Sequence, residues 1–139
     1  HHSQVIGQLI ESGKINMQMN SKGKVTYHDP CNLSRMLDVV EAPRTAIQSA
    51  TDEFIELPES GKNTLCCGAG GGLWWKKETT GRTHLVRAEQ VVESEADTVV
   101  TGCNFCYGMM NQGLKPLTPE DRNPIEVKDI ADFVAENVS

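Results

Sequence analysis

Five cysteines stand at Cys31, Cys66, Cys67, Cys103 and Cys106, and no other cysteine occurs in the 139 residues. A thiolate is a soft, strongly donating metal ligand, so five of them in an ordered pattern point to metal chemistry. The pattern is a single cysteine, an adjacent pair and a closing Cys103-Asn104-Phe105-Cys106, separated by residues 32–65 and 68–102. Two intervals of nearly equal length that each end on cysteine read as two excursions returning to one site.

Three chemistries compete for such a set. A disulfide framework consumes cysteines in pairs, and the count here is odd. A structural zinc takes four ligands in a tetrahedron, which leaves one thiolate over. Side chains on adjacent residues also diverge, so Cys66 and Cys67 grip one small ion poorly. An iron-sulfur cluster has several irons, so neighbouring cysteines can bind different irons or bridge two. Zinc stays open as the alternative. A thiol redox sensor built on the vicinal pair would leave three cysteines without a task.

The cysteines lie in three runs: Tyr27-His28-Asp29-Pro30-Cys31-Asn32-Leu33, Cys66-Cys67-Gly68-Ala69-Gly70-Gly71-Gly72 and Thr101-Gly102-Cys103-Asn104-Phe105-Cys106. In order and spacing these runs resemble the cysteine-rich, or CCG, domain found in the B and D polypeptides of heterodisulfide reductase and in related iron-sulfur oxidoreductases. The resemblance covers about residues 24–136. It implies an oxidoreductase module in which Cys31, Cys66, Cys67, Cys103 and Cys106 hold a noncubane [4Fe-4S] cluster. The chemistry implied is disulfide and thiol redox, in which substrate sulfur meets cluster iron and the S–S bond is split in two one-electron steps, or electron transfer within a larger enzyme. Implied partners are other subunits or domains of a redox complex, some membrane-associated, and a disulfide or thiol substrate. Two departures, Ala69 inside the glycine run and Asn104 where relatives often carry proline, remove no ligand.

A chain of 139 residues is expected to form one domain with a core of its own. The expectation is a single CCG domain over residues 1–139, the C-terminal piece of a longer protein, with any second copy preceding residue 1. His1-His2 reads either as a tag remnant or as native sequence. The net charge of −6 and the lack of a basic stripe argue against nucleic acid as a partner. The longest apolar run, around Val99, is far too short to span a bilayer. Cysteines used as thiols suit a reducing compartment, so the expected location is the cytoplasm or the cytoplasmic face of a membrane complex.

The elements that must position these cysteines alternate between short β-branched runs and amphipathic stretches. Val5, Ile6, Leu9 and Ile10 fall at helical spacing ahead of Gly13. Strands are expected at 24–28, 54–57, 98–101 and 125–127, with helices at 42–50, 82–96, from 103 to 110, and at 129–137 with Asp129 as N-cap. Strands alternating with helices make an α/β fold, a small Rossmann-like and mostly parallel sheet flanked by helices. In such sheets ligands gather beyond the carboxyl ends of the strands. Each cysteine block follows a predicted strand, so one end of one sheet should collect all five.

Gly68 to Gly72 is no phosphate loop, since no Gly-Lys-Ser/Thr follows and Leu73 replaces the last glycine of a dinucleotide fingerprint. Glycine there lets backbone approach sulfur and offers N–H donors to thiolates. Of the adjacent Trp74 and Trp75, one indole is expected to pack and the other to shield the site or meet a partner. His28 reads first as a satisfied structural histidine, with a hydrogen bond or proton toward the site as its alternative. His84 reads as surface. Arg35 and Arg87 either balance the negative charge of the site, hold an anionic substrate, or serve as surface and capping residues. Met109, Met110 and Phe105 pack the helix that opens at Cys103.

Overall fold

In the computed structural model, which describes residues 1–77 and 82–139, four parallel strands form one sheet in the order β2-β1-β3-β4. The strands are β1 (Val25–His28), β2 (Phe54–Ile55), β3 (Thr98–Thr101) and β4 (Glu126–Asp129). The helices are α1 (His2–Glu11), α2 (Glu41–Gln48), α3 (Thr83–Glu93), α4 (Asn104–Leu117) and α5 (Ile130–Glu136). Every residue of β1 and β3 is buried, as expected where a parallel sheet is covered on both faces.

The two-residue period of a strand divides the core. Val25, Tyr27 and Val100 pack with Ala46, Ile47, Ile130 and Phe133 of α2 and α5. Val99 packs on the other face with Ala88, Val91, Met110 and Leu114 of α3 and α4. Thr26 and His28 alternate with Val25 and Tyr27, so they face the α3–α4 side. That places His28, the last residue of β1, on the same face as Cys67 and Cys106, which belong to the α3–α4 core.

Local sequence explains most boundaries. Gly13 follows the end of α1 with φ of +69°, the left-handed position that glycine occupies cheaply. The Asp129 carboxylate accepts from the Ala131 N–H and caps α5. β2 stops at Ile55, short of the predicted Leu57, because the strand lies at the sheet edge and Pro58 cannot continue a ladder. α4 opens where Cys103 to Met110 is expected to start a helix and runs on to Leu117. Gly108 and Gly113 look like breakers, yet each makes room for a neighbour. A Cβ at Gly113 would stand 2.8 Å from the His84 carbonyl oxygen and 2.9 Å from the Ala88 Cβ.

Two buried arginines tie loops to this frame. Arg44 of α2 forks onto both carboxylate oxygens of Asp29 at 2.9 Å. Asp29 also accepts the Gly61 N–H at 2.8 Å, and its carbonyl accepts from Thr64 Oγ1 at 3.1 Å. Arg87 of α3 donates to the Glu59 carbonyl at 2.8 Å and to Gln90 Oε1 at 2.6 Å. The segment that leads into Cys66 is thereby anchored before it arrives.

Two substitutions test this frame by urea unfolding. Gly to Ala inside a helix ordinarily gains close to 1 kcal/mol. Gly113→Ala should instead lose about 1–3 kcal/mol, because the backbone it strikes cannot yield; a gain would refute the close α3–α4 contact. Arg44→Met should lose about 3–5 kcal/mol by leaving Asp29 buried without its partner, and adding Asp29→Asn should recover most of that loss.

Candidate metal centre

The flush ends of the strands set the site. His28 pairs with Thr101 and Thr101 with Asp129 in register, so β1, β3 and β4 stop at one level. Cys31 begins a π-helical turn, Asn32–Met36, three residues past β1. Cys66 and Cys67 arrive from the anchored loop after β2. Cys103 is the N-cap of α4, two residues past β3, and Cys106 lies in the first turn of that helix. All five cysteines line one cavity of about 540 Å³, together with Leu33, Leu37, Trp75 and Phe105. None is in a disulfide; Cys67 and Cys106 are buried, and Cys31, Cys66 and Cys103 are half-buried.

Crowding thiols in one place makes their protons interdependent. The Cys67 thiol is held down to about 4, chiefly by a hydrogen bond from Cys106, with the facing His28 imidazole and the Ala69 N–H working in the same direction against burial. Cys103 is held down to about 6 by Cys106 and by the backbone N–H groups of Cys106 and Phe105 at the start of α4. Cys106, between two such neighbours, is pushed far up because Cys103 and Cys67 both hold its proton. Burial pushes Cys66 up, opposed by the Gly68 N–H, which reaches its sulfur at 3.4 Å.

The donor set is that of a polynuclear thiolate site. Among the described residues, no Asp, Glu, Lys or Arg lines the cavity. Its volume greatly exceeds the roughly 30 Å³ of one water molecule, and hence the needs of a single ion. Five soft sulfurs, backbone N–H groups directed at three of them and a wall free of carboxylates among the described residues suit an iron-sulfur cluster.

A family model for the cysteine-rich (CCG) domain matches residues 25–111. The chain belongs to the CCG domain family. It is 32% identical over 140 residues to a probable iron-sulfur-binding oxidoreductase, FadF, of Bacillus subtilis, covering 99% of this chain and 20% of that protein. It is 39% identical over 137 residues to a probable membrane-anchored ferredoxin of Chromohalobacter salexigens, covering 97% of this chain and 20% of that one. To the D polypeptide of the dihydromethanophenazine:CoB–CoM heterodisulfide reductase of Methanosarcina barkeri it is 32% identical over 143 residues, covering 98% of this chain and 33% of that polypeptide. The chain thus spans a fifth to a third of these relatives.

Within this CCG domain the other sequence candidates separate cleanly. Gly68, Gly71 and Gly72 all adopt positive φ, which the glycine run permits. Trp74 packs on α4 over Gly108, where a Cβ would stand 2.2 Å from its ring, while Trp75 is 76% exposed at the cavity lip beside Phe105. Arg35 donates to the backbone carbonyls of Lys62 and Thr64 instead of entering the cavity. Arg87 is 0% exposed and turned toward His28, so it serves neither a surface nor a substrate role. His84, expected at the surface, is buried where α3 crosses α4.

Sequence reasoning overlooked the anchoring role of Asp29 and Arg44. The signal that could have found them was an acid just ahead of Cys31 and an arginine on the otherwise apolar face of α2. Leu37, exposed at the cavity lip, carried no signal at all.

In the metal-free, reduced chain at about pH 6, iodoacetamide should label Cys103 first, since Cys103 is half-buried and titrates there. Cys66 should react only as the pH climbs past the ordinary thiol range, and buried Cys67 slowly at any pH. Peptide mapping by mass spectrometry reads the order; equal labelling of Cys66 and Cys103 would contradict this electrostatic picture.

Proposed function

We propose that Cys31, Cys66, Cys67, Cys103 and Cys106 hold a [4Fe-4S] cluster of the noncubane type, and that this domain is a heterodisulfide reductase-like redox module. The observation that carries the reading is the delivery of five free thiols from three strand ends to one cavity with no carboxylate in its wall among the described residues. Four thiolates satisfy a cubane, so the fifth, in the vicinal Cys66-Cys67 pair, is the feature a cubane leaves unused. When bound, such a cluster supplies one-electron redox steps.

The residues of the chain serve that chemistry by position. Backbone N–H groups of the Gly68 loop and of α4 stabilise thiolate charge. Leu33, Leu37, Trp75 and Phe105 limit water at the cavity lip. The opening that remains would admit a disulfide, whose reduction consumes two electrons and two protons and yields two thiols, or thiols for the reverse oxidation. Those electrons would come from other subunits or domains of a redox complex. Relatives named as a membrane-anchored ferredoxin, a component of heterodisulfide reductase and an EtfAB:quinone oxidoreductase support such a setting; its proposed place, in the cytoplasm or at the cytoplasmic face of a membrane, rests on cysteines kept as thiols. No described helix of this chain is itself long and apolar enough to cross a membrane.

A second reading, a zinc-stabilised module that docks a partner without redox chemistry, draws support from His28, Cys67 and Cys106, whose ligand atoms all lie within 4.8 Å of one another. Reconstitution without oxygen in the presence of iron, zinc and sulfide separates the two. The proposal expects about four irons per chain with matching sulfide and thiolate-to-iron absorption. Cys66→Ser or Cys67→Ser should change the spectrum. Zinc at one per chain with no iron uptake would establish the second reading instead. Unchanged iron and spectrum in both serine variants, with loss of both in Cys103→Ser, would mean a four-cysteine cubane.

A further inference from the structure

His28 is the buried polar side chain behind Cys67 and Cys106 that the iron-sulfur reading leaves without a task. It ends β1, is 0% exposed and faces the sulfurs of Cys67 and Cys106. Its Nδ1 accepts a hydrogen bond from Arg87 Nε at 2.9 Å, while its Nε2 has no hydrogen-bond partner among the described residues. We propose that His28 is a fixed N–H donor to the sulfurs of the Cys67–Cys106 pair, locked in that role by Arg87, and that it raises the reduction potential of the cluster they hold. This inference rests on the iron-sulfur reading.

The argument turns on the tautomer. A guanidinium has donors and no acceptor, so the ring nitrogen it meets must present a lone pair. The imidazole is therefore neutral, and its one hydrogen sits on Nε2, the atom aimed at sulfur. A nitrogen that carries a hydrogen has no lone pair for a metal. His28, Cys67 and Cys106 have the composition of a zinc site, yet the imidazole cannot enter the ligand set without releasing Arg87. Ligating histidines ordinarily donate their second nitrogen's hydrogen to a carboxylate, carbonyl or water. Here the second nitrogen accepts from a cation instead, the polarity opposite to that of a ligand.

Arg87 cannot easily turn away. Its Nη1 is held by the Glu59 carbonyl and Gln90 Oε1, its Nη2 lies 3.5 Å from Thr64 Oγ1, and its side chain is fully buried. Hydrogen bonds to cluster sulfurs raise the reduction potential by stabilising the more negative, reduced state. A donor backed by a buried guanidinium is polarised in the direction that strengthens this effect.

Three measurements test the proposal. On the metal-free chain, nitrogen-15 NMR of labelled histidine should report His28 as the neutral Nε2–H tautomer. A protonated ring or an Nδ1–H tautomer would overturn the proposal, whether or not iron binds. On the reconstituted chain, pulsed paramagnetic resonance of the wild type should detect the weak coupling of a non-ligating nitrogen, and the strong coupling of a directly bound one would overturn it. His28→Phe should keep its iron and shift the midpoint potential downward, with His28→Gln, which retains an N–H donor, falling between it and the wild type. An unchanged potential in His28→Phe would overturn the proposal. Failure of the wild type to take up iron would count against the cluster itself, and the tautomer readout would separate that failure from a wrong assignment of His28.

Discussion

A carboxylate buried between a strand end and two loops is the constraint on which the rest of this structure hangs. Asp29 follows β1 directly and is 1% exposed, so its carboxyl group must find donors in the protein to replace the water it has lost. Arg44 supplies two of them and Gly61 a third. Those bonds do more than neutralise a charge. They fix the direction in which the chain leaves β1 toward Cys31, clamp α2 against the sheet end, and pull in the loop that delivers Cys66 and Cys67. The bond from Thr64 to the Asp29 carbonyl closes that loop two residues before the vicinal pair. A single buried acid thereby sets the relative placement of three of the five thiols.

The second constraint is charge density. Thiols this close cannot all ionise without an opposite charge among them, as the rise of Cys106 beside Cys67 and Cys103 displays. The chain brings no Lys or Arg side chain into the cavity wall among the described residues. It offers dipoles instead: the N–H groups of Gly68 and Ala69, the first turn of α4, and the imidazole held by Arg87. Dipoles moderate the charge of thiolates without competing for them. In the proposed reading, the remaining charge is what a bound metal would neutralise.

The fold was legible where local chemistry decides. Thr98–Thr101 is a β-branched run and forms the predicted strand residue for residue. Asp129 caps α5 as its position implies. The convergence of all five cysteines on one cavity followed from their places after successive strands. What was illegible depends on contacts distant in sequence. The π-helical turn after Cys31 has no periodic signature, and the length of α4 is set by α3 against Gly113. His84 looked exposed because a helix pattern names one buried face, whereas α3 is covered by both the sheet and α4. Arg87, a charged residue with no exposure, could be understood only once its partners His28, Glu59, Thr64 and Gln90 were in place.

The order of dependence between fold and metal follows from where the anchors lie. In domains that fold only around a metal, the ligands are themselves the staples, and removing the metal removes the core. Here the staples are Asp29 with Arg44, Arg87 with its carbonyl and amide partners, and the apolar layer that α2 and α5 make with the sheet, none of which includes a cysteine; only the opposite layer counts Cys67 and Cys106 among its members. The cysteines hang from elements already positioned, at an end of the sheet where unpaired backbone N–H groups and loop freedom are available. A site prepared in this way loses little conformational entropy when it takes its metal. The same preparation holds His28 and the α4 N–H groups beside the sulfurs, so the tuning proposed for the site would be set by the fold and not by the metal.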